Sequence, residues 1–255
     1  MINGLQNVAY GAIGWIAWPL ARIAQSVRAM GVNGIEGFGL TELLPGDAKL
    51  DESLEQNRIE FVGSYFGASL VQPERLDDEL SEFDATVREV SRLGGSVVAV
   101  GGGRLIPGKE SDCWPHMVQA TEEMATIASK HGVVFGFHPH DHTLVHRKES
   151  IDRFLAETNP EIVKLTFDTA HFASAGMDIV SEIRRLGDRV AHIHLKDLED
   201  DEFVELGKGT LPLEKFLNTL RDLGYSGWMT IELDATPDPE ESAKISVDYV
   251  QGLVA

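Results

Sequence analysis

Eight short apolar runs punctuate this chain, and each is followed by a stretch long enough for a helix. The runs begin at Asn7, Gly34, Ile59, Ser96, Val133, Ile162, Val190 and Gly227; "SVVAVGG", "IVKLTFDT" and "GWMTIELD" are typical. The segments between them repeat their apolar residues with a period of roughly 3.6, most clearly from Leu76 to Leu93 and from Pro115 to Lys130. Asp112 before Trp114-Pro115 and Asp238 before Pro239 read as helix starts, while Gly31, Gly94, Gly132 and Gly224 read as helix ends. Eight strand–helix units in 255 residues predict a (β/α)8 TIM barrel forming a single domain, residues 1–255. A doubly wound sheet is the alternative that the same alternation allows. No Pro/Gly/Ser linker, charge block or low-complexity tract interrupts the pattern.

In such a barrel the carboxyl ends of the strands carry the chemistry. Here those ends hold Glu36, Arg104, His138 with His140, Asp168 with His171, His192 with His194 and Asp197, and Glu232. Each residue has an ordinary reading by itself. Asp168 can cap the helix that follows it. His192 and His194 alternate with Ala191, Ile193 and Leu195, so on a strand they share one face, where burial requires a hydrogen bond or a metal. The run "VVFGFHPHDHTLVH" places His138, His140, His142 and His146, four of the nine histidines, just past an apolar strand. Imidazole at that density serves to bind metal or to move protons, unless the loop is merely polar.

Convergence of these groups at neighbouring strand ends is the stronger signal. Mixed nitrogen and oxygen ligands suit Mn²⁺, Co²⁺, Mg²⁺ or Zn²⁺ with positions open for substrate. A divalent metal ion there would polarise a sugar carbonyl or hydroxyl, and adjacent His and Glu groups would shuttle protons. "GGGR" (Gly101 to Arg104) reads as a tight barrel loop rather than an anion nest, since no helix-opening glycine fingerprint accompanies it. Trp15, Trp18, Phe38, Phe66 and Trp228 are candidates for a sugar pocket, with barrel core the plainer role for most of them.

Charge narrows the partners. With 22 basic and 41 acidic residues the formal charge is −19, which disfavours nucleic acid and anionic membrane. It also argues against a highly charged phosphorylated substrate unless a local basic pocket offsets the field. The single cysteine, Cys113, excludes an intrachain disulfide and a four-cysteine zinc site. The opening "MINGLQNVAYGAIGWIAWPL" has neither the charged leader of a signal peptide nor the unbroken apolar length of a membrane span, so a cytoplasmic location is expected.

Three segments carry a family resemblance, in order: "LTFDTAHFASAGMD", "RVAHIHLKD" and "GKGTLPLEKFLNTLRDLGYSGWMTIELD". They resemble the sixth, seventh and eighth strand signatures of the xylose-isomerase-like family of sugar phosphate isomerases and epimerases. The likeness covers most of the chain and is strongest from Gly132 to Asp234. It implies a divalent cation held by ligands on strands five to eight. Asp168, His194 and Glu232 match the last three of those ligands, and His138 stands at the first. His171 matches a histidine that contacts substrate, Lys196 a lysine that holds a substrate oxygen, and Glu36 a structural or hydrogen-bonding glutamate.

Strand five departs from the pattern. Where many members read Glu-Asn-His, this chain reads His138-Pro139-His140. That loop and the following "HTLVHRKESIDRFLAETNP" resemble the inosose dehydratase branch. Replacing one carboxylate by imidazole leaves Glu232 as the better base and His138 or His140 as ligand or acid, an arrangement suited to proton abstraction beside a carbonyl followed by loss of a β-substituent. The expected substrate is a keto-sugar or cyclitol, and Mn²⁺ the expected ion. Ketose isomerisation or epimerisation, 3-keto-glycoside cleavage and abasic-site DNA repair are the alternatives within the family; a binding scaffold without activity is the alternative outside it. A homo-oligomer or a small partner subunit stays open.

Overall fold

The computed structural model describes residues 8–10, 20–38, 48–234 and 236–254. The strands are β1 (Val8–Tyr10), β2 (Gly34–Phe38), β3 (Glu60–Ala68), β4 (Val97–Gly102), β5 (Val134–His138), β6 (Val163–Asp168), β7 (Val190–Leu195), β8 (Asp197–Glu199), β9 (Glu202–Val204) and β10 (Met229–Ile231). The helices are α1 (Leu20–Ala29), α2 (Ala48–Asn57), α3 (Leu76–Arg92), α4 (Glu110–Lys130), α5 (Lys148–Glu157), α6 (Thr169–Ser174), α7 (Ile179–Leu186), α8 (Leu213–Asp222) and α9 (Pro239–Val254). Eight parallel strands close into a barrel in the order β1-β10-β7-β6-β5-β4-β3-β2, which excludes an open doubly wound sheet. β10 is therefore the eighth barrel strand. Among the described residues no helix is long and apolar enough to cross a membrane.

Helix faces and strand faces meet in one apolar layer. α3 turns Phe83, Val87 and Val90 inward, and α8 turns Leu213, Phe216, Leu217 and Leu220 inward, the spacing expected of a helix covering a sheet. Gly31, Gly94, Gly132 and Gly224 follow α1, α3, α4 and α8 with φ between 70° and 82°, as their role as helix ends requires. Asp238 accepts from the Glu241 amide at 3.2 Å, at the start of α9. Asp112 is not a cap: α4 begins earlier, at Glu110, and Asp112 sits in its first turn, where its charge faces the helix dipole. Phe66 packs edge-on to Phe83 in the core, and Trp228 packs on Val62 and Val97 at the amino ends of the strands, so neither lines a sugar pocket. Trp15, Trp18 and the side chain of Phe38 lie outside the described residues.

The sequence pattern concealed the β8–β9 hairpin, an antiparallel excursion between β7 and α8. Asp197, at its start, is not a site residue. Its buried carboxylate accepts from the amides of Leu198, Gly207, Gly209 and Leu211 at 2.9 to 3.2 Å and so ties the hairpin to the "GKGTL" segment. Glycine is required at 209 because a Cβ there would stand 2.4 Å from Asp197 Oδ1. Four donors on one buried anion make this a stability element. Asp197→Ala leaves them unpartnered and is expected to cost about 3 kcal/mol or more, since hydrogen bonds to charged groups contribute roughly 1.5–3 kcal/mol each. Urea unfolding of the purified variant measures it, and a loss under 1 kcal/mol (about one neutral hydrogen bond) would show that the hairpin is held by other contacts.

Candidate active site

The site is built on a buried carboxylate. The pairing of β2 with β3 shifts register between Ile35 and Glu36, an irregularity of the kind that re-aims a side chain. Glu36 Oε2 accepts from Thr230 Oγ1 at 2.6 Å and pairs with His192 Nε2 at 2.9 Å, and both its oxygens lie 3.2 Å from His194 Nε2. With Nε2 engaged below, His194 turns Nδ1 upward to the carboxyl ends of the strands, 2.7 Å from Glu232 Oε2. The ordinary reading of His192 thus holds, since it is hydrogen-bonded in the layer under the site.

Four side chains from successive strand ends meet above that layer. One ligand atom each from His138, Asp168, His194 and Glu232 lies within 4.8 Å of all the others, and every one of these residues is buried. Asp168 serves two ends: Oδ1 caps α6 by accepting from the amides of Ala170 and His171 at 2.8 and 2.9 Å, while Oδ2 faces the cluster, 3.6 Å from His138 Nε2. His138 Nδ1 and Nε2, Asp168 Oδ2, His194 Nδ1 and Glu232 Oε2 are all buried without an aligned hydrogen-bond partner. The close approach of His194 to Glu232 is thus an ionic contact, not a directed bond. Ligands about 2.1 Å from one cation stand roughly 3–3.5 Å apart, so these orphaned atoms fit a divalent ion.

Without an ion the site balances its charge internally. Burial would raise Glu232, but Lys196 and His194 hold it well below the usual carboxylate range; Asp168 is held down in the same way by Lys196, His171 and His138. Burial would lower His194, yet Glu36 and Glu232 raise it well above the ordinary imidazole value. Lys196 is fully buried, 3.4 Å from Asp168, 3.2 Å from Glu232 and 2.7 Å from Asp234, and these carboxylates outweigh desolvation to keep it charged. His138, by contrast, is lowered, chiefly by burial.

The rim is formed by the loop after β5 and by α6. His140 does reach the pocket: its ring lies 5.8 Å from that of His138 and 3.9 Å from that of His171. His171 is buried, and desolvation pushes it down to about 2. His142, with φ 59°, turns out to solvent. Arg104 is exposed and bridges Thr143, tying the loop after β4 to the loop after β5, so it is a loop residue and not part of the cluster. Of "GGGR", Gly101 and Gly102 still belong to β4, where a Cβ on Gly101 would stand 1.8 Å from the Tyr65 hydroxyl, and the tight loop begins only at Gly103, with φ 74°.

Sequence reasoning missed Tyr65, Asp141, Phe203, Thr230 and Asp234. Tyr65 stands edge-on to His138 at 5.8 Å, and burial together with Glu232 pushes its phenol up to about 12. Phe203, on β9, sits 4.7 Å from Lys196 Nζ and 5.1 Å from the His171 ring. No strand-end rule points to a mid-strand tyrosine or to a residue on an unforeseen hairpin; Asp141, inside the histidine run, and Asp234, two residues past Glu232, were the ones with a visible signal.

A closed parallel barrel with polar groups gathered at the carboxyl ends of its strands is the architecture of a (β/α)8 enzyme. This chain belongs to the xylose isomerase-like TIM barrel family, whose model matches residues 24–253. It is 26% identical over 267 residues to an inosose dehydratase of Mesomycoplasma hyopneumoniae (strain 7448), covering 91% of this chain and 88% of that protein. Among solved structures it resembles a 3-keto-D-glucoside 4-epimerase from E. coli in the apo form, with TM-score 0.83 and 14% identity over 96% of this chain and 99% of that one. It also resembles the IolI protein solved with a bound zinc atom, with TM-score 0.80 and 21% identity over 97% and 98% of the two chains. Two of these three are thus named as enzymes of sugars or inososes, and one neighbour of the fold holds a zinc atom.

Glu36→Gln tests the supporting layer. Removing the charge loosens the orientation of His194 while conserving shape, so divalent-cation affinity is expected to fall roughly 10–100-fold, the usual effect of losing a ligand's hydrogen-bond partner. Isothermal titration of the chelator-stripped variant measures it; wild-type affinity would show that Glu36 only fills space.

Proposed function

We propose that this chain is a divalent-metal-dependent enzyme that removes the proton beside the carbonyl of a keto-sugar or cyclitol and then expels a β-hydroxyl, a dehydratase reaction. The observation that carries this reading is the set of orphaned atoms on His138, Asp168, His194 and Glu232, converging where a barrel enzyme works. Two imidazoles and two carboxylates suit Mn²⁺, Co²⁺ or Zn²⁺, and Mg²⁺ less, with Mn²⁺ the ion proposed. A bound divalent ion supplies a Lewis acid for the substrate carbonyl.

The protein's own groups divide the remaining work. Glu232 stays ionised and accepts the proton, whose C–H electron pair moves into the enolate. Lys196, held between Asp168, Glu232 and Asp234, neutralises charge growing on a substrate oxygen. Collapse of the enolate breaks the β-C–O bond, and the departing hydroxide takes a proton on the His140–His171 side to leave as water. The name of the inosose dehydratase relative supports elimination, as does imidazole rather than carboxylate at the strand-five ligand position. The epimerase likeness supports the second reading, in which the proton returns to the same carbon.

A panel of keto-sugars and inososes in D₂O with Mn²⁺, followed by NMR, separates these readings. An enone or enol product identifies elimination, whereas deuterium gained with the carbon skeleton and hydroxyls intact identifies isomerisation or epimerisation. With an active substrate, Glu232→Gln is expected to lower proton exchange by about 10²–10⁴-fold, the usual contribution of a positioned acid or base. His140→Ala should spare exchange and slow loss of the β-substituent; the opposite result would reverse the roles. The tightly held cation is expected to disappear in His194→Ala, as measured by elemental analysis, and its retention there would overturn the ligand assignment.

The pH dependence follows from the two imidazole ligands. Burial lowers His138, so it is neutral at the ordinary 6.5, whereas, against its burial, Glu36 and Glu232 raise His194 well above that value, and a cation has to displace its proton. Cation affinity of the chelator-stripped chain is therefore expected to weaken as pH falls, with His194 setting the loss, already under way above 6.5. Isothermal titration across pH checks this, and an affinity that stays flat down to 6.5 would contradict it.

A further inference from the structure

We infer that His140, Asp141 and His171 form a second, weaker divalent-cation site on the rim of the barrel, separate from the four-residue cluster below. One ligand atom from each of the three lies within 4.8 Å of the others. Asp141 Oδ1 stands 2.5 Å from His140 Nδ1 and 3.7 Å from His171 Nδ1, so one carboxylate oxygen faces two imidazole nitrogens.

The second observation is a shortage of partners. His171 is 1% exposed, yet neither of its ring nitrogens makes a hydrogen bond, and Asp141 Oδ1 is likewise buried without an aligned donor. A buried polar atom left in that condition costs about 1–3 kcal/mol. Two of these atoms, His171 Nδ1 and Asp141 Oδ1, face each other beside His140, and one cation between them would satisfy both. Two imidazoles and one carboxylate are the donor set of zinc-type ions, with further positions left for water or substrate.

The three residues are held in place by independent supports. His171 sits in α6, whose first turn is fixed by the Asp168 cap. The loop bearing His140 and Asp141 is fixed by Thr143 Oγ1 donating to the His140 carbonyl at 2.6 Å, and by the Leu105 amide donating to the His142 carbonyl at 2.8 Å. His140 and Asp141 are half-buried, so the rim site has fewer and wetter ligands than the lower one and binds more weakly. The acidic balance of the chain, −19, favours cation uptake at both. One consequence rests on the dehydratase reading: a cation there stands on the leaving-group side, in the role otherwise filled by a proton from His140. Binding itself does not rest on that reading.

The full chain, stripped with chelator, is titrated with Co²⁺ and followed by visible absorption and by equilibrium dialysis with elemental analysis. Two equivalents are expected, the second at least tenfold weaker than the first. Asp141→Asn and His140→Gln are expected to abolish the second step and keep the first, while His194→Ala loses the first and keeps the second. Circular dichroism confirms folding, and either rim variant suffices if the other is unstable. Saturation at one equivalent, or a second step unchanged in a folded rim variant, would overturn the rim site and leave the lower site standing. Loss of the tight step alone, with a weak step still sensitive to Asp141→Asn, would overturn the lower site and support the rim.

Discussion

The candidate active site rests on one buried anion. Glu36 enters the barrel interior at a register shift and binds three side chains from two other strands: His192 and His194 on β7 and Thr230 on β10. A lone carboxylate there would be costly; with three partners it becomes the fixed point from which His194 is oriented. The imidazole has only two nitrogens, so engaging Nε2 below commits Nδ1 to the mouth above. The direction of this side chain is thereby decided inside the barrel, in the layer just under the site, and not by the loops at the mouth.

The same logic extends upward through charge. Asp168 and Glu232 face the buried cation Lys196, and Glu36 and Glu232 face His194 and raise its affinity for a proton. A divalent ion taking His194 as a ligand would have to displace that proton; without one, the chain holds the cluster by this balance of its own charges. Lys196 is also held from outside the cluster, donating to Asp234 at 2.7 Å. A lysine so placed remains charged close to the reacting centre, and its Phe203 neighbour shields one side of it.

How much of this the sequence could disclose depends on the range of each interaction. Strand and helix positions were legible because apolar periodicity is a local property, and all eight barrel strands fall on the runs that suggested them. His138, Asp168, His194 and Glu232 were legible because strand ends converge by topology, whatever lies between them. Asp197 was misread because it too ends a strand; only the fold reveals that its carboxylate turns to Gly207 and Gly209 and away from the mouth. Tyr65 was invisible for the reverse reason. It gains its place through a missing Cβ at Gly101 on the neighbouring strand, a contact that no spacing within either segment encodes.

The histidine run shows how a single loop can serve several ends. His138 still belongs to β5 and is directed by the barrel, so its ring joins the cluster. Pro139 ends the strand, and His140 belongs to the loop, where Thr143 and the bridge to Arg104 set its position beside His171. His142 takes a left-handed turn conformation that points it to water, and His146 is drawn back to a half-buried position where its Nε2 finds no partner. Four identical side chains thus acquire different environments within nine positions because strand, turn and loop impose different directions on successive residues. Composition alone would have treated them as one group. The backbone separates a residue at the centre of the cluster, one at its rim and one in solvent, although all three come from five consecutive positions.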